Sequence, residues 1–420
     1  MVKKTLSREV RLSSSMNSCC SGLKITMVVV WPIVAQQGGA ERILCELSNE
    51  LIRKGHSVTV LSADKTQGKP FYSTNPMVRF EHYGDISLPL MQRKLFLKLR
   101  SWRIRSASRR NVRSILGWES ELEKFGRKIT ECEADVYMAF SASGAYLIRS
   151  ALGKEVPVVT MFHSTPKFEC YDSVVSNYVA GDVCDNFVQG WLDNFLAVVG
   201  SSNVVQVLMP EFVDDTKMML NTNVVCIPNP VSQYLNASDL KGHKIICVAR
   251  FAPVKRQHLV VEAFSLLAKK YPDWIVEFWG RTDDPYSERV RELIDEYGLR
   301  DRVRVCGVST NIEKEMEGAS ILVMASEFEG FCLGLVEAMS KGLPVVGCNT
   351  CAAVNTIIRN GENGFLCDDT PEAIASALSR LMESADLRKR LGARGRKDAK
   401  LFAPDLIWKK WEDVLSSVVK

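Results

Sequence analysis

The sequence lacks any run of about 18 consecutive apolar residues, the length that a helix needs to cross a bilayer. Residues 1–22 are rich in serine and in basic residues, and they have no continuous apolar core such as a secretory signal peptide carries. We therefore expect residues 1–22 to form a disordered leader, and we expect a cytoplasmic protein without a transmembrane segment.

Histidine is scarce, with 5 residues in the chain, and the 13 cysteines form no cluster in the sequence. Several cysteines stand inside apolar runs, as Cys226, Cys247 and Cys306 do, which is typical of a protein kept reduced. Cys348 and Cys351 form a single CxxC motif, with no second pair or group of histidines beside it. The sequence therefore predicts no metal site and no cofactor.

Acidic residues are missing from residues 91–113, a segment that holds nine of the 54 Lys and Arg residues. The other 45 basic residues are outnumbered by 49 acidic ones, so the net charge of +5 comes from this single patch. Leu95, Leu99 and Trp102 fall on one side of a helix there, which fits either contact with an anionic membrane surface or a solvated basic helix. No nucleic-acid-binding motif accompanies the patch, so nucleic acid is not an expected partner.

The first half of the chain alternates apolar runs with helical patterns. Residues 24–31 predict a strand, residues 40–54 an amphipathic helix and residues 58–61 a second strand, which together make a βαβ unit. Further strands are predicted at residues 78–83, 135–140, 156–162, 195–200 and 223–227, and residues 91–130 are predicted to be mainly helical.

Pro228-Asn229-Pro230 interrupts this pattern, and a fresh alternation begins at Lys244. Two such blocks predict an α/β protein in which two doubly wound parallel sheets face each other across a cleft. We predict domains over residues 23–228 and 229–403 and a final helix over residues 404–420. Within the second block, strands are predicted at residues 244–250, 274–280, 302–307, 320–325, 343–347 and 364–367, and helices at residues 257–270, 285–298, 311–318, 332–341, 352–359 and 371–383.

Ligands of such sheets bind at the carboxyl ends of the strands, and the first candidate there is the pair Gly38 and Gly39. Glycine lets a ligand approach the backbone, and the start of the following helix favours an anion. The GxGxxG fingerprint is absent, and an ordinary turn would carry the same residues. The pair is therefore either a phosphate contact or a plain turn.

The second candidate is a pair of cations on one predicted loop. Arg250 ends the first strand of the second block, and Lys255 stands just before the next helix. With the helix N-terminus they would clamp a diphosphate, although two solvated surface charges would look the same. Arg256 directly follows Lys255 and competes with it for this assignment.

The third candidate is His163, which follows the apolar run Thr160-Met161-Phe162 at the carboxyl end of a predicted strand. A histidine at that place is either a site residue or a structural histidine with satisfied hydrogen bonds.

The fourth candidate is the stretch from Ser326 to Met339, SEFEGFCLGLVEAM. Glu329 is predicted on a loop and Glu337 inside the following helix, among apolar residues. A carboxylate buried in such surroundings needs a polar partner, and a sugar or ribose hydroxyl would serve. The same pair could instead do acid/base chemistry as in glycoside hydrolases, and Glu329 could simply favour a helix N-terminus.

The longer stretch SEFEGFCLGLVEAMSKGLPVV resembles the E-x7-E signature of the retaining, nucleotide-sugar-dependent glycosyltransferases of the GT-B fold, the group 1 or family 4 class. The segments GGAER, ARFAPVK, IPNPV and NGENGFLCDD occur in the matching order, so the resemblance covers residues 24–418. It implies two Rossmann-like domains around a central cleft, with the C-terminal helix packing back on the N-terminal domain. It also implies a metal-independent hexosyltransferase.

The resemblance assigns roles to single residues. Arg250 and Lys255 would hold the donor diphosphate and stabilise the leaving nucleotide, while Glu329 and His163 would lie at the donor sugar. Glu337 would accept hydrogen bonds from the ribose. The other donor-binding positions that the resemblance implies are Gly38, Gly39, Val308, Gly330, Phe331, Cys332 and Leu333.

The implied reaction moves a hexosyl unit from a UDP- or GDP-sugar to a hydroxyl of a glycan or a lipid-linked saccharide. The basic patch in the first domain suggests assembly of a cell-surface polysaccharide or lipopolysaccharide on an anionic membrane surface. The partners would be the nucleotide-sugar donor, the glycan or lipid-linked acceptor and that surface.

The chain departs from the family pattern at Cys332, where a glycine is common, at Gly280-Arg281-Thr282, and at residues 348–355, where the usual Gly-Gly and Glu are missing. Three alternatives stay open. The chain could be a GT-B sugar-nucleotide epimerase or a non-catalytic sugar-nucleotide binding protein. It could also be an NAD-dependent dehydrogenase, for which Asp64 would supply the acid after the second strand.

Overall fold

The computed structural model describes residues 22–64, 66–82, 124–172 and 186–419. The predicted leader lies outside the described residues, apart from its last residue, and so does the basic patch over residues 91–113. Within the described part, no helix is both long enough and apolar enough to span a bilayer.

Seven parallel strands form the first sheet, in the spatial order β3-β2-β1-β4-β5-β6-β7. Apolar, largely β-branched runs make these strands, because helices cover both faces of a parallel sheet and leave few positions for polar side chains. Met27 and Val28 in β1, for example, are fully buried. The strands are β1 (Lys24–Val29), β2 (Ser57–Ser62), β3 (Arg79–His82), β4 (Val136–Ala139), β5 (Val158–Met161), β6 (Val204–Val207) and β7 (Val224–Cys226).

Amphipathic helices connect these strands. In the first helix the buried side chains recur at helical spacing, from Ile43 and Leu44 to Leu47 and Leu51, while the opposite face is charged. Residues 124–131 are also helical. The first helix is α1 (Gly39–Arg53), and the helices that follow in this region are α2 (Ala142–Leu152), α3 (Asn186–Gly200) and α4 (Phe212–Leu220). A π-helical turn lies at Phe168–Asp172.

The predicted strand at residues 195–200 is wrong, because these residues form the end of α3 and the strand comes later, as β6. The run FLAVVG is uniformly apolar, and periodicity cannot separate a buried helix from a buried strand in so short a run. Phe195 and Val199, four residues apart, are both buried, which matches one side of a helix. The other strands predicted in the first half are confirmed to within a few residues.

Six parallel strands form the second sheet, in the order β10-β9-β8-β11-β12-β13. This is the strand order of a doubly wound sheet, in which the chain moves outward on one side and then returns to the middle. All six predicted strands are confirmed to within a few residues. They are β8 (Lys244–Val248), β9 (Ile275–Trp279), β10 (Val303–Gly307), β11 (Ile321–Met324), β12 (Val345–Cys348) and β13 (Gly364–Cys367).

A continuous apolar core joins this sheet to its helices, with Phe264, Val323, Val346 and Leu378 among its fully buried members. The helices are α5 (Gln257–Ala268), α6 (Tyr286–Glu296), α7 (Ile312–Glu317), α8 (Leu333–Ser340), α9 (Ala352–Ile357), α10 (Pro371–Glu383), α11 (Ala385–Ala399) and α12 (Pro404–Val418), and 3-10 turns occur at Pro253–Lys255 and Lys400–Phe402.

The chain divides into two compact units, one made of residues 1–227 and 409–420 and the other of residues 228–408. The change of unit falls at Pro228, where the sequence pattern breaks. Most of α12 groups with the first unit, and there Glu412 of α12 forms an ion pair with Lys54 at the end of α1. Each unit contains one doubly wound parallel sheet, so the predicted fold class is confirmed.

Candidate active site

The switch point of the second sheet is the gap between the loops that follow β8 and β11. β8 lies between β9 and β11, and the chain leaves β8 towards β9 but leaves β11 towards β12. The two loops therefore diverge and open a crevice at the carboxyl edge of the sheet. Lys255 stands on the first loop and Glu329 on the second, so the fold brings these predicted residues to one place.

Lys255 and Glu329 are in direct contact. The ammonium nitrogen of Lys255 lies 2.7 Å from Oε1 of Glu329, and both side chains are largely buried, with 14% and 13% exposed. The hydroxyl of Ser326 donates to the same Oε1 at 2.7 Å. The backbone N–H of Glu327 donates to the carbonyl of Val254 at 2.9 Å, which fixes the two loops to each other. The pair is therefore preorganised before any ligand binds.

Arg256, which the sequence could not separate from Lys255, points elsewhere. Its guanidinium pairs with Asp369, which follows β13, and contacts Glu327 at 3.0 Å. Thr350 donates its hydroxyl to Asp369 at 2.7 Å. The backbone of Arg256 is left-handed, with a φ of 49°, and this turn starts α5. Arg256 thus ties three loops together, and of these two adjacent cations it is Lys255 that contacts Glu329.

Arg250 follows β8 and is exposed. Its carbonyl accepts a hydrogen bond of 2.9 Å from the buried side-chain amide of Gln257, which holds the backbone of the loop. The pKa of the nearby Asp283 carboxyl is lowered, mainly by its hydrogen bond to Arg281 and more weakly by the charge of Arg250. No ion pair of Arg250 is found within the part of the chain that the structure describes, so its guanidinium is available to an anion.

Helix α8 begins at an unusual residue. Cys332, its N-cap, has a left-handed backbone with φ 68° and ψ 62°, a conformation that glycine adopts most easily. The glycine that the resemblance implies at this position would therefore have a backbone cause. Two residues later, a Cβ at Gly334 would come within 3.0 Å of the carbonyl of Val248, so the start of α8 lies against the end of β8.

Four of the other predicted donor-binding residues lie in or next to the first turns of α8. Glu337 is buried in α8, at 3% exposure, and Phe331 packs edge-on against Phe402 with ring centroids 5.2 Å apart. Gly330 and Leu333 flank this turn, which supplies backbone N–H groups. Val308, which is also predicted to bind the donor, lies just after β10 and is exposed.

His163 follows β5 in the first unit. Its ring stacks on Phe140 at 4.9 Å between centroids, and neither ring nitrogen has a hydrogen-bond partner among the described residues. Burial lowers the pKa of His163 to about 4, so the ring is neutral near pH 7. Buried polar groups are nearly always hydrogen-bonded, so this ring calls for a function or a ligand.

Glu169 is a buried acid beside His163 that the sequence pattern does not single out. It is 7% exposed, lies in the π-helical turn and accepts the backbone N–H of His163 at 2.9 Å. Ala142 and Ser164 also donate backbone N–H groups to it, and burial raises its pKa to about 7. An acid in an irregular segment has no periodic signal, and only its position six residues after His163 could have drawn attention to it.

Gly38 and Gly39 lie where α1 starts. Gly38 is the N-cap with an ordinary extended backbone, φ −122°, and no side chain caps the helix. Glu41 in the first turn accepts a hydrogen bond of 2.9 Å from the indole N–H of Trp31. The turn therefore needs no glycine for its own conformation, although the uncapped N–H groups can still meet a phosphate.

The dehydrogenase interpretation needs a free acid after the second strand, and Asp64 is not free. Its carboxylate accepts the backbone N–H groups of Ile33 and Val34 and the hydroxyl of Ser62, at 2.6 to 3.1 Å. Asp64 is 2% exposed and anchors the loop that follows β1. It therefore has a structural task and does not present itself to a ribose.

Two family models match the chain, "Glycosyl transferases group 1" over residues 235–398 and "Glycosyltransferase Family 4" over residues 37–179. Sucrose-phosphate synthase from Thermosynechococcus elongatus has the same fold, with a TM-score of 0.71 at 18% identity over 94% of this chain and 98% of that one. The chain is a GT-B glycosyltransferase. The predicted family and fold are thereby confirmed.

Curated relatives differ in how much of their length this glycosyltransferase spans. It is 24% identical to an exopolysaccharide phosphotransferase of Streptomyces coelicolor, over 94% of its own length but only 41% of that protein. An uncharacterized glycosyltransferase of Haemophilus influenzae is 22% identical, with 91% of this chain and 97% of that one covered. Anabaena HepE, solved in complex with UDP and glucose, shares the fold at a TM-score of 0.68 and 16% identity, over 94% of this chain and 100% of that one.

The two cysteines of the CxxC motif in this glycosyltransferase each interact with a different cysteine elsewhere in the chain. Cys348 and Cys367 are register partners in adjacent strands and share a thiol–thiol hydrogen bond, which raises the pKa of Cys348. The thiol of Cys351 shares a hydrogen bond instead with the thiol of Cys332, at the start of α8. Within the described ranges, no group of three or more His, Cys, Asp or Glu side chains comes together as metal ligands would.

Proposed function

We propose that this glycosyltransferase transfers a hexosyl unit with retention of configuration from a UDP- or GDP-sugar to a hydroxyl of a glycan or lipid-linked saccharide. The contact between Lys255 and Glu329 at the switch point supports this most directly. It joins a cation suited to a diphosphate and a carboxylate suited to sugar hydroxyls, next to the start of α8. Their separation of 2.7 Å is short enough for one donor molecule to touch both.

The chemistry proposed for the donor side is leaving-group stabilisation. Negative charge grows on the diphosphate as the glycosidic bond breaks, and Arg250, Lys255 and the N–H groups at the start of α8 can oppose that charge. The contact with Glu329 already holds Lys255 in the crevice, so the proposal requires little reorganisation of this cation at the moment of reaction. The proposal needs no metal, because the protein's own cations supply the charge.

Retention would follow from attack on the same face that the diphosphate leaves. In this route the acceptor hydroxyl gives its proton to the departing phosphate oxygen, and the nucleotide leaves as its diphosphate. Glu329 holds the sugar hydroxyls in this scheme and does not act as a covalent nucleophile. For His163, in the first unit, the role proposed is to supply the reaction with a neutral ring that can accept or donate a hydrogen bond.

For the acceptor we propose a cell-surface polysaccharide or lipid-linked glycan made on the inner face of a membrane. The exopolysaccharide named for the Streptomyces relative supports this class, and the UDP and glucose of the HepE complex support a UDP-sugar donor. The basic segment 91–113 supplies a charge suited to anionic lipid. Flotation with anionic vesicles at low salt tests the membrane part, and absence of binding there would refute it.

A thermal-shift screen of UDP-, GDP- and ADP-sugars tests the donor. A ligand at a hundred times its dissociation constant should add about 2.7 kcal/mol to the stability of the folded protein. Glu337→Gln should weaken the shift, because the ribose loses its carboxylate acceptor, while Glu372→Gln on an exposed turn of α10 should leave it unchanged.

Product analysis separates the proposal from its alternatives. Incubation with donor and acceptor should give a product whose anomeric configuration, read by proton NMR, matches that of the donor. An inverted product would refute retention. Conversion of the donor without any acceptor would indicate an epimerase, and a thermal shift without turnover of the donor would indicate a binding protein.

A further inference from the structure

The carboxylate of Glu169 joins the ends of two neighbouring strands of the first sheet. Its Oε1 accepts the backbone N–H of His163, which follows β5, and the N–H of Ser164 donates to the same carboxylate. The third donor is the N–H of Ala142, the first residue of α2, which follows β4. One side chain therefore fixes the loops after β4 and β5 against each other.

This junction controls where the imidazole of His163 lies. The ring stacks on Phe140, the residue directly after β4, while the backbone of His163 belongs to the loop after β5. A shift between these two loops would break the stack or turn the ring. No side-chain hydrogen bond of the ring opposes such a shift, because neither ring nitrogen has a partner among the described residues.

A purely structural role would not require a carboxylate at this place. Glu169 is 7% exposed, and burying a charge is costly unless its hydrogen bonds are complete. Three N–H donors repay much of that cost, and the start of α2 adds the favourable field of a helix N-terminus. The protein thus keeps a carboxylate whose burial is energetically unfavourable, and this carboxylate holds the backbone of His163.

We propose that Glu169 is a positioning residue that holds the imidazole of His163 in place for glycosyl transfer. This inference rests on the role proposed above for His163. Glu169 itself touches no substrate in this scheme and exchanges no proton with it. A displacement of about 1 Å at a reacting group can cost roughly a hundredfold in rate, so losing the anchor should be visible in kcat.

A double-mutant cycle tests the proposal. Glu169→Ala should lower kcat at least tenfold in the wild-type background and less than twofold in the His163→Ala background, because Glu169 acts through His163. Glu169→Gln keeps one acceptor oxygen and should fall between wild type and Glu169→Ala, and it replaces the alanine variant if that one does not fold. Equal losses in both backgrounds would overturn the proposal.

Asn203→Ala is the matched control. Asn203 Oδ1 accepts the backbone N–H of Val158 at 2.9 Å, so it anchors the opposite end of the same strand β5. This variant should lower stability and leave kcat within twofold of wild type in both backgrounds. A loss of kcat equal to that of Glu169→Ala would show that any loosening of β5 suffices, which would also overturn the proposal.

Proton NMR of the histidine rings gives a readout that needs no substrate. The ring of Phe140, stacked at 4.9 Å, should shift the His163 signals, and that shift should shrink in Glu169→Ala but persist in Asn203→Ala. An unchanged His163 signal in Glu169→Ala would refute the positioning role. If no donor is turned over at all, the proposed function fails while this spectrum still decides the role of Glu169.

Discussion

Lys255 Nζ lies 2.7 Å from Oε1 of Glu329, and the two residues come from loops after different strands of one sheet. We expect Lys255→Ala to lower kcat by about 10²–10³, because removing one preorganised donor to a developing negative charge typically costs that much. Steady-state kinetics with the donor identified by thermal shift would measure this.

The neighbouring cation is the control for that experiment. Arg256 pairs with Glu327 and Asp369 instead of facing the crevice, so Arg256→Ala should lower the thermal midpoint and reduce kcat less than tenfold. If Arg256→Ala proved the more damaging variant for kcat, the assignment of the diphosphate clamp to Lys255 would be wrong.

The sequence could predict this pair because both residues follow apolar runs that are long enough to recognise as strands. The carboxyl ends of parallel strands share one edge, so Lys255 and Glu329 had to lie at the same edge of the sheet once β8 and β11 were recognised. Their direct contact could not be predicted, because it depends on which strands are neighbours. The same limit left the roles of Lys255 and Arg256 undecided, since adjacent loop residues have no periodicity to orient them.

Other features depend on contacts between residues far apart in the chain. The partners of Cys348 and Cys351 are Cys367 and Cys332, and no spacing rule connects these positions. Strand β6 was misplaced because the end of α3 is as apolar as a strand. Glu169 could not be singled out from the sequence, because its contacts are with backbone N–H groups, which no side chain in the sequence reveals.

Gly280→Ala should be strongly destabilising. Gly280 has a φ of 152°, and a Cβ there would lie 2.1 Å from the carbonyl oxygen of Ala249 and 2.9 Å from the backbone nitrogen of Arg250. Strain and overpacking together should cost more than about 2 kcal/mol, and the loop carrying Arg250 should move. Chemical denaturation and the donor-induced thermal shift would show both effects.

Gly298→Ala is the matched control for backbone strain. Gly298 also has a positive φ, 64°, but beyond its chain neighbours no described residue has an atom within 4 Å of the added Cβ. Gly298→Ala should lower the free energy of unfolding by about 1–2 kcal/mol and leave donor binding unchanged. If both substitutions changed the free energy of unfolding and donor binding equally, the close contact of the added Cβ with Ala249 would not be the cause of the loss.

Cys332 should tolerate glycine better than valine. Glycine removes the strain of the left-handed backbone, about 1–2 kcal/mol, which offsets the loss of a buried side chain that is 5% exposed. Cys332→Gly should therefore stay within about 1 kcal/mol of wild type and keep its activity. Cys332→Val puts a β-branched residue at a positive φ and should cost more than about 2 kcal/mol. A valine variant as stable as wild type would contradict the backbone argument, and denaturant unfolding of both variants decides it.

His163 and Glu169 should make opposite contributions to the pH dependence of stability. Burial raises the pKa of Glu169 from 4.5 to about 7, so its contribution is present below pH 4.5 and is lost as the pH rises through 7. Burial lowers the pKa of His163 from 6.5 to about 4, so its contribution is present above pH 6.5 and is lost as the pH falls through 4. Each complete titration changes the free energy of unfolding by about 3 kcal/mol. Between pH 4.5 and 6.5 the two slopes largely cancel.

Single substitutions should therefore reveal how each group alone makes the free energy of unfolding depend on pH. In Glu169→Gln only the histidine of this pair titrates, and relative to wild type the free energy of unfolding should rise from pH 4.5 to 6.5, because the unfolded histidine then binds the extra proton. In His163→Asn only the carboxyl of this pair titrates, and relative to wild type the free energy of unfolding should fall over the same interval. Urea unfolding at several pH values would measure both, with Asn203→Ala expected to shift the wild-type curve without changing its slope. Two variants that keep the wild-type slope would show that neither group is buried in the way the structure places it, because an exposed histidine or carboxyl titrates equally in the folded and unfolded chains.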